Sequence, residues 1–217
     1  MIRSFTGIVV LLLMACGTLS AAPNDEGWKP IFDGKDLDGW QHVGPGSFVI
    51  DDGMLKTEGG MGLLWYTPEK IGDAQIKVVF KTTAPDSNSG VFIRIPEKPT
   101  EPWMPVNKGY EVQIDNKDDD YHCTGVLYSL TKAMARTQKP PGEWNTMIIT
   151  LRGPHTTVEL NGVMITDYTE GQAVPLKHAA SEPDRGLRPN SGYIGLQNHP
   201  GNTPVYFKEV AIRSLQP

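Results

Sequence analysis

From Ser47 onward the chain alternates apolar and polar residues in short runs, and glycine, proline, asparagine or aspartate closes nearly every run. A period of two sends successive side chains to opposite faces, so each run reads as a strand with one core face, and helical periodicity is almost absent. Gln75 to Thr83 groups Ile76, Val78 and Phe80 against Lys77 and Lys81, and Thr146 to Leu151 groups Met147, Ile149 and Leu151. Two hairpins are expected: Ser47 to Ile50 with Met54 to Thr57 around Asp51-Asp52-Gly53, and Thr157 to Leu160 with Val163 to Thr166 around Asn161-Gly162. With Gly192 to His199 and Val205 to Ile212 the pattern reaches roughly a dozen strands, too many for one open twisted sheet. The fold expected is an all-β antiparallel sandwich of jelly-roll type.

The first residues carry a different signal. Arg3 precedes an apolar run from Ile8 to Met14, the build of an export signal and too short to span a bilayer. Leu13-Met14-Ala15-Cys16 resembles the lipoprotein box of bacteria, in which Cys16 becomes the lipidated first residue; cleavage near Ser20 to Ala22 is the alternative. Residues 1–22 are therefore expected to be a signal peptide, and 28–217 one domain, periplasmic or lipid-anchored to a bacterial cell envelope. The other cysteine, Cys123, then has no disulfide partner, so stability must come from a packed core. A net charge of −5 with scattered lysines and arginines argues against nucleic acid.

Two long stretches, Pro96 to Lys108 with Trp103 and Gly171 to Asn190, are expected to be irregular, and loops of that length in a compact domain usually carry function. Asp118, Asp119 and Asp120 lack calcium-loop spacing and read as a solvated acidic turn. The five histidines form no paired zinc motif. Trp40 and Trp144 read as core aromatics, Asn161 as a turn residue of positive φ, and Cys123 as a small buried residue.

Three strands carry unusual polar sets on the face away from their apolar residues. On Gly109 to Asp115 these are Glu111, Gln113 and Asp115; on Ser89 to Ile95, Gly90, Phe92 and Arg94; on Gly192 to His199, Gly195, Gln197 and His199. If the three are neighbours, Arg94, Glu111, Gln113, Gln197 and His199 converge in one groove. Amides and a guanidinium suit sugar hydroxyls, and Phe92 or Trp103 can stack on a ring. An ordinary surface ion pair between Glu111 and Arg94 is the plainer alternative.

Seven ordered segments, among them Ile31-Phe32-Asp33-Gly34-Lys35-Asp36-Leu37-Asp38-Gly39-Trp40, Asn88-Ser89-Gly90-Val91-Phe92-Ile93-Arg94, Gly109 to Ile114, Thr124-Gly125-Val126-Leu127-Tyr128, Gly142-Glu143-Trp144-Asn145, Leu160-Asn161-Gly162 and Gly192 to His199, resemble the 3-keto-disaccharide hydrolase family over Trp28 to Leu215. The resemblance implies a concanavalin A-like fold and cleavage of glycosides already oxidised at C3, often in the periplasm beside a separate sugar oxidoreductase. Glu111 and Asp115, four residues apart on one strand, should lie about 13 Å apart, too far for an ordinary two-carboxylate glycosidase. A 3-keto group relaxes that demand, because it acidifies the C2 proton and allows elimination followed by hydration. His199 or Glu111 is then expected as base and Arg94 as donor to the enolate oxygen, with Gln113, Gln197 and Tyr128 orienting the sugar. A divalent metal held by Glu111 and His199 is the alternative electrophile. A non-catalytic carbohydrate-binding protein and a conventional endo-glucanase are the competing functions.

Overall fold

The computed structural model describes residues 27–201 and 203–215; the signal segment with Cys16 lies outside them. Among the described residues thirteen strands run in chain order: β1 Lys29–Phe32, β2 Trp40–Val43, β3 Ser47–Asp51, β4 Met54–Glu58, β5 Gly62–Tyr66, β6 Ala74–Thr82, β7 Asn88–Ile95, β8 Tyr110–Asp115, β9 Asn145–Arg152, β10 His155–Leu160, β11 Val163–Thr169, β12 Tyr193–Asn198 and β13 Val205–Ser214. One short helix, α1 Met104–Lys108, interrupts the proline-rich segment that the sequence leaves irregular. No helix among the described residues is long and apolar enough to cross a membrane.

The strands form two antiparallel sheets. The larger has the order β11-β10-β9-β6-β13-β4-β3 with β1 also on β13, and the smaller has the order β2-β5-β12-β7-β8. The alternation explains the layering. Ile76, Val78 and Phe80 of β6 and Met147, Ile149 and Leu151 of β9 meet Val91, Ile93, Val112, Ile114, Ile194 and Leu196 of the smaller sheet in one continuous core. At about 25 cal/mol per Å2 of apolar surface, this burial is the chief force holding the described residues, whose single cysteine, Cys123, is free. Both expected hairpins form, and their turns take the left-handed backbone that such tight turns require: Asp52 at φ 50° with Gly53 at 71°, and Asn161 at 53° with Gly162 at 81°.

The outer face of the smaller sheet is covered in its own right. Leu63, Trp65, Phe92 and Ile95 pack there under Met104 and Val106 of α1. Phe92 is fully buried, so it is no sugar platform; the helix that the sequence pattern hides occupies its ring. Trp40 is half-buried against the main core, with its indole N–H donated to the Ile31 carbonyl at 2.6 Å. Trp144 departs from the core role expected of it: it is half-buried at the surface, with the ammonium groups of Lys81 and Lys208 over its ring.

Candidate functional site

Beside the α1 cap, the outer face of β7, β8 and β12 opens into a cavity of about 190 Å3 lined by Glu111, Gln113, Gln197, His199 and Tyr128, with Asn88, Trp103, Val106 and Ser181 completing its walls. The register brings these together. Gly90 pairs with Gln113 across β7 and β8, and Val91 pairs with Leu196 across β7 and β12, so Gln113, Gly90 and Gln197 fall in one row. Gly90 is the gap in that row. A Cβ there would sit 2.5 Å from Glu111 Oε1 and 2.7 Å from its Cγ, so only glycine lets the Glu111 side chain lie across the strand.

Glu111 is buried, and burial pushes its carboxyl up to about 8; a hydrogen bond from the Gln197 side chain draws it down only in part. At neutral pH it is therefore mostly protonated and can donate a hydrogen bond. Around it the amide oxygens of Gln113, Gln197 and Asn88 are buried without a partner. Burying an acceptor without a bond costs about 1 to 3 kcal/mol, and three such oxygens at one cavity suit a ligand rich in O–H donors. Asn88 is aimed by Asp115, whose Oδ2 accepts its Nδ2–H at 2.9 Å, leaving the amide oxygen free.

Tyr128 arrives by a different route. The segment from Thr124 to Tyr128 runs along the open edge of β8, bonded through Thr124 N to Asp115 O, Gln113 N to Val126 O and Tyr128 N to Glu111 O, all at 2.9 to 3.0 Å. Burial and the nearby Glu111 carboxyl raise the Tyr128 phenol above its ordinary value, so it stays a hydroxyl donor. His199 follows the last residue of β12 and is half-buried; its Nδ1–H donates to the Pro200 carbonyl at 3.0 Å, which leaves Nε2 as the acceptor of the neutral ring.

Four of the five residues expected in the groove, Glu111, Gln113, Gln197 and His199, are thus brought together with Tyr128, expected to orient the sugar, and Trp103 stands at the wall, 45% exposed. Arg94 is not. The pairing of β7 with β12 shifts between Tyr193 and Gly195, whose partners are Ile95 and Phe92, an extra residue on β7 that makes a bulge. Arg94 takes the left-handed backbone there, at φ 55°, which turns its side chain away from the groove and sends Ile95 outward in its place. The fully buried guanidinium donates to Pro189 O, Gly153 O, His155 O and Thr156 Oγ1 at 2.8 to 3.3 Å. It pairs with no carboxylate of the groove, so neither the enolate-donor role nor the Glu111 ion pair is geometrically open to it.

Asp115 is also displaced from the role of a direct sugar contact. Besides Asn88 it accepts the Lys117 N–H at 2.8 Å, and it borders an adjoining cavity with Cys123 and Arg136. Glu111 is consequently the single carboxyl lining the chamber. Among the described residues, the one set of three acidic, histidine or cysteine side chains with converging ligand atoms is Asp118, Asp119 and His122, on the exposed acidic turn and outside the chamber lining. The chamber itself offers a metal one carboxyl, one imidazole and the amide oxygens of Asn88, Gln113 and Gln197, with no second carboxylate to balance a divalent charge. Asn88, Val106 and Ser181 escaped the sequence reading. Asn88 sits at the head of a strand already singled out, whereas Val106 and Ser181 come from segments with no periodic signal.

Residues 27–213 match the family of the 3-keto-alpha-glucoside-1,2-lyase-like domain. A 3-keto-disaccharide hydrolase of Bacteroides thetaiotaomicron is 24% identical over 88% of this chain and 79% of the relative. Among solved structures, a candidate glycosyl hydrolase from Parabacteroides distasonis is 27% identical with a TM-score of 0.69, covering 87% of this chain and 99% of that one. The carbohydrate binding module CBM66 of Bacillus subtilis, 14% identical, has a TM-score of 0.55 over 81% of this chain and 96% of the module, a likeness of fold alone.

Proposed function

Because the chain belongs to the 3-keto-alpha-glucoside-1,2-lyase-like domain family, we propose that it is an enzyme cleaving glycosides already oxidised at C3, with the chamber around Glu111 as its active site. The observation that carries this reading is a single buried carboxyl set among unpartnered amide oxygens and an imidazole with a free acceptor. A conventional glycosidase needs two carboxyls, about 5 to 9.5 Å apart. An elimination needs one base and one oxyanion donor.

His199 Nε2 takes the C2 proton, and the electron pair moves toward C3, placing negative charge on the keto oxygen. The Glu111 carboxyl and the Tyr128 hydroxyl donate to that oxygen, preorganised in a cavity where such bonds are worth more than in water. The C1–O bond then breaks as the C1–C2 double bond forms, and the imidazolium returns its proton to the leaving oxygen. Water adding to C1, with a proton restored to C2, completes a net hydrolysis; without it the outcome is that of a lyase. The amide oxygens of Asn88, Gln113 and Gln197 accept the sugar hydroxyls.

Purified protein is incubated with a 3-keto-glucoside and with its unoxidised parent, and release of the leaving group is followed. Cleavage of the keto form alone, abolished by about 1,000-fold or more in His199→Ala, supports the reading. Sugar binding without turnover of either would replace it with a carbohydrate-binding role. Because Glu111 must be protonated, the rate should fall as pH rises through about 8; a rate still rising at pH 9 contradicts the donor role. We propose further that the protein is exported and tethered through Cys16 to the cell envelope, where an oxidoreductase supplies its keto substrate.

A further inference from the structure

Segment 171–190, which brings Ser181 to the chamber, contains no strand or helix to hold it. Two arginines do that work instead. Arg188 donates to Asn107 O at 2.6 Å and to Gly109 O at 2.9 Å, with its guanidinium 5.3 Å from the Tyr110 ring, and so ties the segment to the end of α1. Arg185 ties it to the opposite wall. Its Nη2 lies 3.0 Å from Ser129 Oγ, 3.2 Å from Ser129 O and 2.9 Å from Glu182 Oε2, while Nε and Nη1 donate to Pro175 O and Pro183 O. Glu182 is buried, and its Oε2 also accepts the His178 N–H at 3.1 Å. The carboxylate and guanidinium thus gather the segment's own backbone, and toward β8 they grip one residue, Ser129.

Ser129 directly follows Tyr128. It is buried and takes the left-handed backbone at φ 63°, a conformation that serine keeps only where its surroundings impose it. Before it, the Tyr128 N–H is donated to Glu111 O at 2.9 Å; after it, the Ser129 N–H is donated to Tyr121 O at 2.8 Å, and Arg185 holds both the carbonyl and the hydroxyl of Ser129. The backbone is therefore fixed on each side of the Tyr128 Cα, by β8 on one and by Arg185 on the other. A lysine in place of Arg185 would supply the charge, but not the planar fork that bonds Ser129, Glu182 and two further carbonyls at once.

We propose that Glu182 and Arg185 are positioning residues, which hold the Tyr128 hydroxyl in the chamber by fixing the left-handed backbone of Ser129. The proposal rests on the reading of the Glu111 chamber as the active site, with Tyr128 as a donor to the keto oxygen. The test is a double-mutant cycle on a 3-keto-glucoside with wild type, Arg185→Lys, Tyr128→Phe and their combination. Tyr128→Phe should lose about 100-fold in kcat and Arg185→Lys about 10-fold or more, each with KM within about three-fold. Added to Tyr128→Phe, Arg185→Lys should cost less than about three-fold further, because the hydroxyl it positions is already gone. Losses that multiply in full overturn the proposal, since Arg185 would then serve the fold and not Tyr128. Lys177→Ala, which breaks an exposed ion pair with Asp184 on the same segment, should leave kcat unchanged; a loss there equal to that of Arg185→Lys overturns it as well. Should Arg185→Lys fail to fold by circular dichroism, Glu182→Gln takes its place in the cycle with the same expected pattern. If wild type cleaves no 3-keto-glucoside, the functional reading fails, and the pair is judged by Tyr128 itself. In protein labelled with carbon-13 at the tyrosine ζ carbon, the resonance missing from Tyr128→Phe should shift in Arg185→Lys while that of Tyr206, on β13, stays in place. A Tyr128 resonance that does not move overturns the proposal on that arm.

Discussion

Glu111→Gln should make the protein more stable, and increasingly so as pH rises. The carboxyl has an ordinary value of 4.5 and is held at about 8 in the fold, with burial as the chief cause. The folded value is the higher one, so the sign is that of a buried acid: no penalty below about 4.5, then a loss of stability as pH climbs, levelling above about 8. Each pH unit between the two is worth about 1.4 kcal/mol. The penalty is thus about 1 kcal/mol at pH 5 and about 4 kcal/mol at pH 8. Glutamine keeps the shape and the hydrogen bond to Gln197 but never ionises, so it escapes that penalty. Urea unfolding of both proteins at pH 5, 6, 7 and 8 reads the difference directly, and at pH 8 the variant should melt roughly 10 °C higher. The changing difference is the decisive quantity, because any pH-independent cost of the substitution cancels. A difference that stays constant from pH 5 to pH 8 would refute the argument that Glu111 is buried as a neutral acid. Stability gained by removing an ionisable group is the mark of a site kept for chemistry, and the same variant should lose activity while gaining stability.

Three further outcomes follow from particular contacts. Gly90→Ala places a methyl group 2.5 Å from Glu111 Oε1; it should leave the circular dichroism spectrum intact and cut kcat by about 100-fold, and unchanged turnover would show that Glu111 has no fixed position to lose. Arg94→Ala empties the space of a fully buried side chain and strips its bonds from three carbonyls and the buried Thr156 hydroxyl; it should destabilise by about 3 to 5 kcal/mol in urea, while protein still folded keeps kcat within a few-fold, and a selective loss of kcat at full stability would return Arg94 to the chemistry. Cys16→Ala should release the protein from membrane pellets into the soluble fraction after cell disruption; continued sedimentation with membranes would exclude lipidation at that residue.

Alternation of apolar and polar residues was sufficient to reveal both sheets, because burial of one face per strand is a local instruction repeated in every run. It was also sufficient for Glu111, Gln113 and Gln197, which lie on regular stretches of β8 and β12 where odd and even positions keep their faces. Arg94 was illegible for the same reason. One extra residue in β7 reverses which face the following side chains meet, and nothing in Ile93-Arg94-Ile95 announces a bulge. The sequence could not show that Phe92 lies under a one-turn helix, nor that Ser181 and Val106 reach the chamber, because those contacts join segments with no periodicity to strands distant in the chain. Nor could it give Glu111 its proton. A glutamate on a strand is an ordinary carboxylate until tertiary packing removes its water, and here Gly90, Gln197 and the chamber walls do so together. The strands and their faces belong to the sequence; which side of a bulge an arginine takes, and whether a buried acid keeps its proton, were decided only where distant segments met.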